Sequence, residues 1–209
     1  GAGGVRAARA AGTGWNKLDV TLTTGDFDGD NKPDLLARAS SGGALWLYPG
    51  KGDGTFKARK QVGTGWDVMT AITAGGDFDG DGNADVLARD SAGRLWLYPG
   101  DGTGGWESRI QVGTGWNIMT SIVGRDDFTG DGNPDVLAVE SNGTLWLYPG
   151  DGSGGWKSRV KVATGWSSLS QVAAPGDLTG DGLADVTARD SSGTLWLYPS
   201  TGTAFSDGR

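Results

Sequence analysis

The sequence predicts an all-β fold, a β-propeller of four four-stranded blades of about 50 residues each, and three observations carry that prediction. Leu-Trp-Leu-Tyr-Pro recurs at 45–49, 95–99, 145–149 and 195–199, which spaces Trp46, Trp96, Trp146 and Trp196 by 50 residues. A second marker, Gly-Trp, places Trp15, Trp66, Trp116 and Trp166 at intervals of 51, 50 and 50. Glycine supplies 40 of the 209 residues beside 10 tryptophans, the composition of many tight turns between short, well-packed strands.

The second unit shows each element in order. Residues 68–74 read as a first strand, Asp85 to Asp90 as a second, Arg94 to Pro99 as a third and Trp106 to Val112 as a fourth. Each run is short, carries β-branched or aromatic residues and is bounded by Gly, Ser, Asn or Asp. The repeats fall at about 12–62, 63–112, 113–162 and 163–209, and residues 1–209 read as a single propeller domain. Val5 precedes Trp15 by the same ten residues that separate Phe56 from Trp66, so residues 4–11 read as a detached fourth strand that closes the last blade. A seven-residue Ala-rich helix over 5–11 is the weaker reading, since helices this short are marginal alone. Pairing of the open sheet edge ties down both termini. The alternative is a ring of eight blades formed by two chains, each N-terminal strand completing the partner's last blade.

Composition excludes several chemistries. With no cysteine there are no disulfides, thiolate metal sites or thiol nucleophiles. With no histidine there is no Ser-His-Asp triad and no imidazole zinc site. A formal charge of −7 repels phosphate backbones, so nucleic acid is not an expected partner. No apolar run is long enough to span a membrane.

An acidic loop joins the first and second strands of every unit. It reads Asp26, Asp28, Asp30 and Asp34 in the first and Asp77, Asp79, Asp81 and Asp85 in the second. The third has Asp127, Thr129, Asp131 and Asp135, and the fourth Asp177, Thr179, Asp181 and Asp185. Oxygen-bearing side chains thus fall at loop positions 1, 3, 5 and 9, a spacing with which a tight loop wraps a hard cation. Calcium takes six to eight oxygens, so backbone carbonyls at position 7 (Lys32, Asn83, Asn133, Leu183) and water would complete the shell. Clustered carboxylates repel one another unless a cation offsets them, so the sequence predicts up to four Ca2+, one per repeat. The two threonine loops carry fewer carboxylates and are expected to bind more weakly.

The tandem Gly-Asp-Phe-Asp-Gly-Asp-Gly-x-x-Asp motif with its downstream Leu-Trp-Leu-Tyr resembles the FG-GAP, or VCBS, repeat family of calcium-binding β-propellers, over essentially the whole chain. The family includes the integrin α-subunit head and propeller lectins, and its repeats are often attached to secreted bacterial hydrolases. The resemblance implies a calcium-stabilised, secreted binding module. This chain departs from the usual pattern in having only four units.

In an antiparallel blade the connection from strand one to two and that from three to four emerge on one face, and the other two connections emerge opposite. Calcium is therefore expected to be structural, and the face of the Gly-Thr-Gly-Trp crossings is the expected recognition surface. There Trp15, Trp66, Trp116 and Trp166 would offer rings to sugar C–H patches. Arg38, Arg89, Asp90, Glu140, Arg189 and Asp190, at the ends of second strands, would bind sugar hydroxyls. Trp46, Trp96, Trp146 and Trp196 read as core. The expected function is a lectin-like module binding glycans or polysaccharides through repeated inter-blade sites, with no catalysis. The alternative is a protein-interaction or structural module of a secreted protein, with a protein partner, a fused enzyme or a second copy as its neighbour.

Overall fold

The computed structural model describes residues 10–124 and 126–205. Four antiparallel sheets follow one another along the chain as the blades of a β-propeller. Blade one pairs β1 (Leu18–Gly25), β2 (Asp34–Ala39), β3 (Leu45–Tyr48) and β4 (Lys60–Gly63) in that order. Blade two repeats it with β5 (Met69–Gly76), β6 (Asp85–Asp90), β7 (Leu95–Tyr98) and β8 (Ile110–Gly113). Blade three consists of β9 (Met119–Val123), β10 (Val136–Glu140), β11 (Leu145–Tyr148) and β12 (Val160–Ala163). Blade four has β13 (Ser170–Gly176), β14 (Asp185–Arg189) and β15 (Leu195–Tyr198) among the described residues. The expected closing strand over 4–11 lies, apart from residues 10 and 11, outside the described residues.

Strand four is shorter than the sequence suggests. Trp106 makes an isolated bridge to Gly100, and the continuous strand starts only at Ile110. The Trp106 indole donates its N–H to the Val62 carbonyl of the preceding blade at 2.8 Å. Trp156 does the same to Val112 at 2.7 Å.

The period-2 alternation of a strand decides the packing. In Leu45-Trp46-Leu47-Tyr48 both leucines point to one side and are buried, while Trp46 and Tyr48 point to the other and are half-buried. Leu45 and Leu47 pack with Phe27 and Leu36 against Trp66, Met69, Val86 and Ala88 of the next blade. The same arrangement joins blade two to three around Leu95, Leu97 and Trp116, and blade three to four around Leu145, Leu147 and Trp166. Each fully buried leucine is worth about 1.5–3 kcal/mol relative to exposure, so the core is a series of boundaries between blades. The innermost strands β1, β5, β9 and β13 border a central cavity of about 380 Å³, lined by Thr21, Thr23, Thr73, Val123 and Ala174 among others.

Trp46, Trp96, Trp146 and Trp196, expected as core, are half-buried instead. Arg59, Arg109 and Arg159 cover the first three rings at 3.9, 4.2 and 4.0 Å in cation–π contacts.

Candidate functional site

The acidic loops are built around their last aspartate. Asp34 is buried and its carboxylate accepts the N–H groups of Phe27, Asp28 and Gly50 at 3.0, 3.1 and 2.8 Å. Asp85, Asp135 and Asp185 are likewise buried and take the equivalent donors. Position one closes the turn: Asp26 accepts from Gly29, Asp30 and Asn31 at 2.9, 3.1 and 2.7 Å. Gly29 has φ +76 and packs on the Gly102 carbonyl of the next blade, where any side chain would collide. Backbone donors therefore offset part of the charge that the sequence leaves unbalanced.

Three of the four expected side-chain positions converge. Carboxylate oxygens of Asp26, Asp28 and Asp34, and of Asp77, Asp79 and Asp85, lie within 4.8 Å of one another. Position five stands apart from these groups. Asp30 pairs with Lys57, whose ammonium holds its carboxyl below the usual range, and Asp131 pairs with Lys157 to the same effect. Asp81 instead accepts from the Asn83 side chain at 2.9 Å. Position seven gives its backbone N–H to position five, from Lys32 to Asp30, Asn83 to Asp81, Asn133 to Asp131 and Leu183 to Asp181, at 2.7–3.0 Å. In loops three and four Thr129 and Thr179 lie 3.4 Å from Asp127 and Asp177.

The convergent carboxylates fit a cation. Asp28 Oδ1 is buried and has no hydrogen-bond partner, an arrangement that is costly for an anion in a dry site. Burial, then Asp34 and Asp30, push its pKa up, and burial pushes Asp85 up to about 6. Burial also raises Asp79 and Asp135. Both three-carboxylate groups are able to hold a metal ion, with oxygen donors that suit a hard one.

The opposite face is organised by the crossings. Gly65 adopts φ +70, a left-handed turn that glycine accepts without strain, and opens a single 3-10 turn at Trp66–Val68. The Trp66 N–H then donates to the Gly43 carbonyl in the hairpin of the preceding blade at 2.9 Å. Trp116 and Trp166 do the same to Gly93 and Gly143, so crossings and hairpins share a face, as the topology requires.

The tryptophans themselves are not open platforms. Trp66, Trp116 and Trp166 are 5, 5 and 4% exposed. Their rings lie 4.6, 4.6 and 4.8 Å from those of Tyr98, Tyr148 and Tyr198, and Trp15 lies 4.8 Å from Tyr48. Asp90, Glu140 and Asp190 are engaged as acceptors for the indole N–H of Trp96, Trp146 and Trp196 at 3.1, 2.8 and 2.7 Å. Arg38 reaches over the blade boundary to the carbonyls of Trp66 and Met69 at 2.9 and 2.6 Å, and Arg89 to those of Trp116 and Met119 at 3.0 and 2.5 Å. Arg189 is exposed.

Blade three lacks this arginine, and Val139 stands in its place. At that boundary a groove of about 390 Å³ opens between blades three and four, lined by Thr120, Ser141, Trp166, Ser167, Ser170 and Gln171 among others. Gln171 has φ +52, an uncommon conformation for a residue with a side chain, in an irregular stretch of β13. Of these lining residues only Trp166 is among the expected binding residues. The signal that points to them is the break at Val139 in the run Arg38, Arg89, Arg189.

Fold and loops together define a repeat β-propeller with an acidic loop in every blade. The chain belongs to the FG-GAP-like repeat family, which it matches over residues 26–88, 77–126 and 127–188. Among solved structures it is similar to that of an Agrocybe aegerita lectin described as specifically recognising non-reducing terminal N-acetylglucosamine, with 22% identity and a TM-score of 0.61. It is also similar to the BP39L lectin of Burkholderia pseudomallei, with 20% identity and a TM-score of 0.64. The matches cover 89 and 90% of this chain but 50 and 54% of those chains, so it spans about half the length of either. No curated protein matches it. Among the described residues no helix is long and apolar enough to cross a membrane.

Proposed function

We propose that this chain is a calcium-stabilised carbohydrate-binding module, lectin-like and without catalytic activity, that works outside the cell. The observation that carries the reading is the groove between blades three and four. Its volume falls in the range of small-ligand sites. Hydroxyls of Thr120, Ser141, Ser167 and Ser170 and the amide of Gln171 supply donors and acceptors without a net charge, which suits a neutral polyol, and Trp166 adds an apolar wall. A strained residue in the lining supports a binding role, since such conformations concentrate at ligand sites. The likeness to two lectins supports the fold on which this reading rests.

Calcium belongs to the opposite face. Asp26, Asp28 and Asp34, and Asp77, Asp79 and Asp85, would hold it, and bound calcium would neutralise the buried carboxylates. The protein's own residues do the rest: Asp34 and Asp85 tie the loop to the start of the next connection through Gly50 and Gly100, at 2.8 and 3.0 Å. The test is a glycan array probed with the intact chain, with and without chelator. Binding to a defined set of glycans supports the reading, and a blank array in the presence of calcium contradicts it.

A further inference from the structure

Among the described residues the leucine-bearing faces of the first three blades are buried, and that of blade four is exposed. Leu45, Leu47, Leu95, Leu97, Leu145 and Leu147 are 0–2% exposed. Their counterparts in blade four, Leu195 and Leu197, are 65 and 36% exposed. Leu178 stands where the preceding loops have Phe27, Phe78 and Phe128, each at most 1% exposed, yet it is 56% exposed. Arg189 is exposed on the same blade, whereas Arg38 and Arg89 bridge to the next blade's carbonyls.

The other end of the arc has the complementary surface. In blade one Trp15, Tyr48 and Phe56 form a ring cluster with centroid separations of 4.8, 5.8 and 6.1 Å. It matches Trp66, Tyr98 and Trp106, whose separations are 4.6, 5.7 and 6.0 Å. Between blades one and two that cluster is covered by Phe27, 4.8 Å from Trp106. In blade one it borders a recess of about 360 Å³ formed by Ala11, Gly12, Trp15, Leu35 and Phe56 among others.

We propose that these two surfaces meet between two copies of the chain, which close head to tail into an eight-bladed ring with two identical junctions. The occupant is a second copy because the two surfaces are the two halves of a boundary that the chain already builds three times around the same leucines and aromatic rings, twice with the bridging arginine. A heterologous contact of this kind gives a closed assembly when its rotation closes.

The internal boundaries specify the junction. Leu178, Leu195 and Leu197 cover the Trp15, Tyr48 and Phe56 cluster of the second copy. Arg189 donates to its Trp15 and Leu18 carbonyls, as Arg38 does to those of Trp66 and Met69. Leu45 pairs with Gly63 and Trp46 with Gln61, so Leu195 pairs with Gly12 and Trp196 with Ala10 of the second copy. Gly12 is already placed for this, because it packs on Trp15 as Gly63 packs on Trp66.

The test is the solution mass of the intact chain by light scattering across a wide concentration series. The expected mass is twice 21.5 kDa. Leu195→Asp combined with Leu197→Asp, and separately Arg189→Glu, lie on an exposed face, so they leave the far-ultraviolet circular dichroism of the single chain unchanged while lowering the mass to 21.5 kDa at concentrations where the parent is paired. A parent mass of 21.5 kDa throughout, an assembly larger than two copies, or variants that fold and keep the doubled mass would each overturn the proposal. None of these readouts depends on glycan binding.

Discussion

The guanidinium of Arg89 donates to the carbonyl of Met119 at 2.5 Å, across the boundary between blades two and three. It also reaches the Trp116 carbonyl at 3.0 Å and receives a brace from Thr70 at 2.9 Å through its Nε–H. Burial lowers its pKa, as desolvation of a cation should, but an arginine remains charged. This one side chain both latches two blades and fills the space that stands open at the next boundary.

Arg89→Met keeps the aliphatic stem and removes the donors, leaving two carbonyls short of a partner. Hydrogen bonds to charged groups contribute about 1.5–3 kcal/mol, so the variant is expected to lose about 2 kcal/mol and about 5 °C of melting temperature in a chain of this length. Urea denaturation checks it, and an unchanged midpoint counts against the latch.

Calcium gives a paired prediction. Asp28 Oδ1 is buried without a partner, so in chelator Asp28→Asn is expected to be at least as stable as the parent. A ligand bound only by the folded state adds about 2.7 kcal/mol at a hundredfold excess over its dissociation constant, and in calcium the order reverses because the variant loses that gain. Calorimetric titration of the parent should resolve two tighter sites, in blades one and two where three carboxylates converge, from weaker binding at the threonine loops. Equal stability of parent and variant in both buffers contradicts the assignment.

Acid unfolding has a separate cause on the opposite face. Burial alone would raise the Asp90 carboxyl, but the Trp96 indole, the Arg94 backbone N–H and the Arg94 guanidinium outweigh it and hold the pKa down to about 2. The Ser192 hydroxyl and the Trp196 indole hold Asp190 at about 2. A carboxyl depressed on folding stabilises fully above its unfolded value and loses that contribution as pH falls toward the folded one. The stability gap between the parent and Asp90→Asn should therefore be constant from neutrality to about pH 4 and close as pH approaches 2. Melts at stepped pH check this, and a gap independent of pH across the acid range refutes it.

The blades were legible in the sequence because a 50-residue period, a strict alternation in Leu-Trp-Leu-Tyr and an acidic loop at fixed offset all describe the same unit. The clustering of loop carboxylates was legible in their spacing, yet in the first two loops only positions 1, 3 and 9 converge. Position 5 is captured in blade one by Lys57, which no local pattern links to Asp30. The burial of the crossing tryptophans was not legible for a related reason. A 3-10 turn and a tyrosine of the same blade fix the tilt of Trp66, and the covering leucines come from the preceding blade. Such orientations depend on contacts between repeats, which a reading of one repeat does not contain. The groove had a visible mark in Val139, but its meaning required knowing where Arg38 and Arg89 point.

Val139→Arg tests the account most directly. The new side chain should span to the Trp166 and Leu169 carbonyls as Arg89 spans to those of Trp116 and Met119, raising the melting temperature while filling the groove. Equilibrium titration with a glycan selected on the array, followed by tryptophan fluorescence, should then show saturable binding by the parent and none by the variant. Undiminished glycan affinity in a folded Val139→Arg protein would contradict the placement of the binding site between blades three and four.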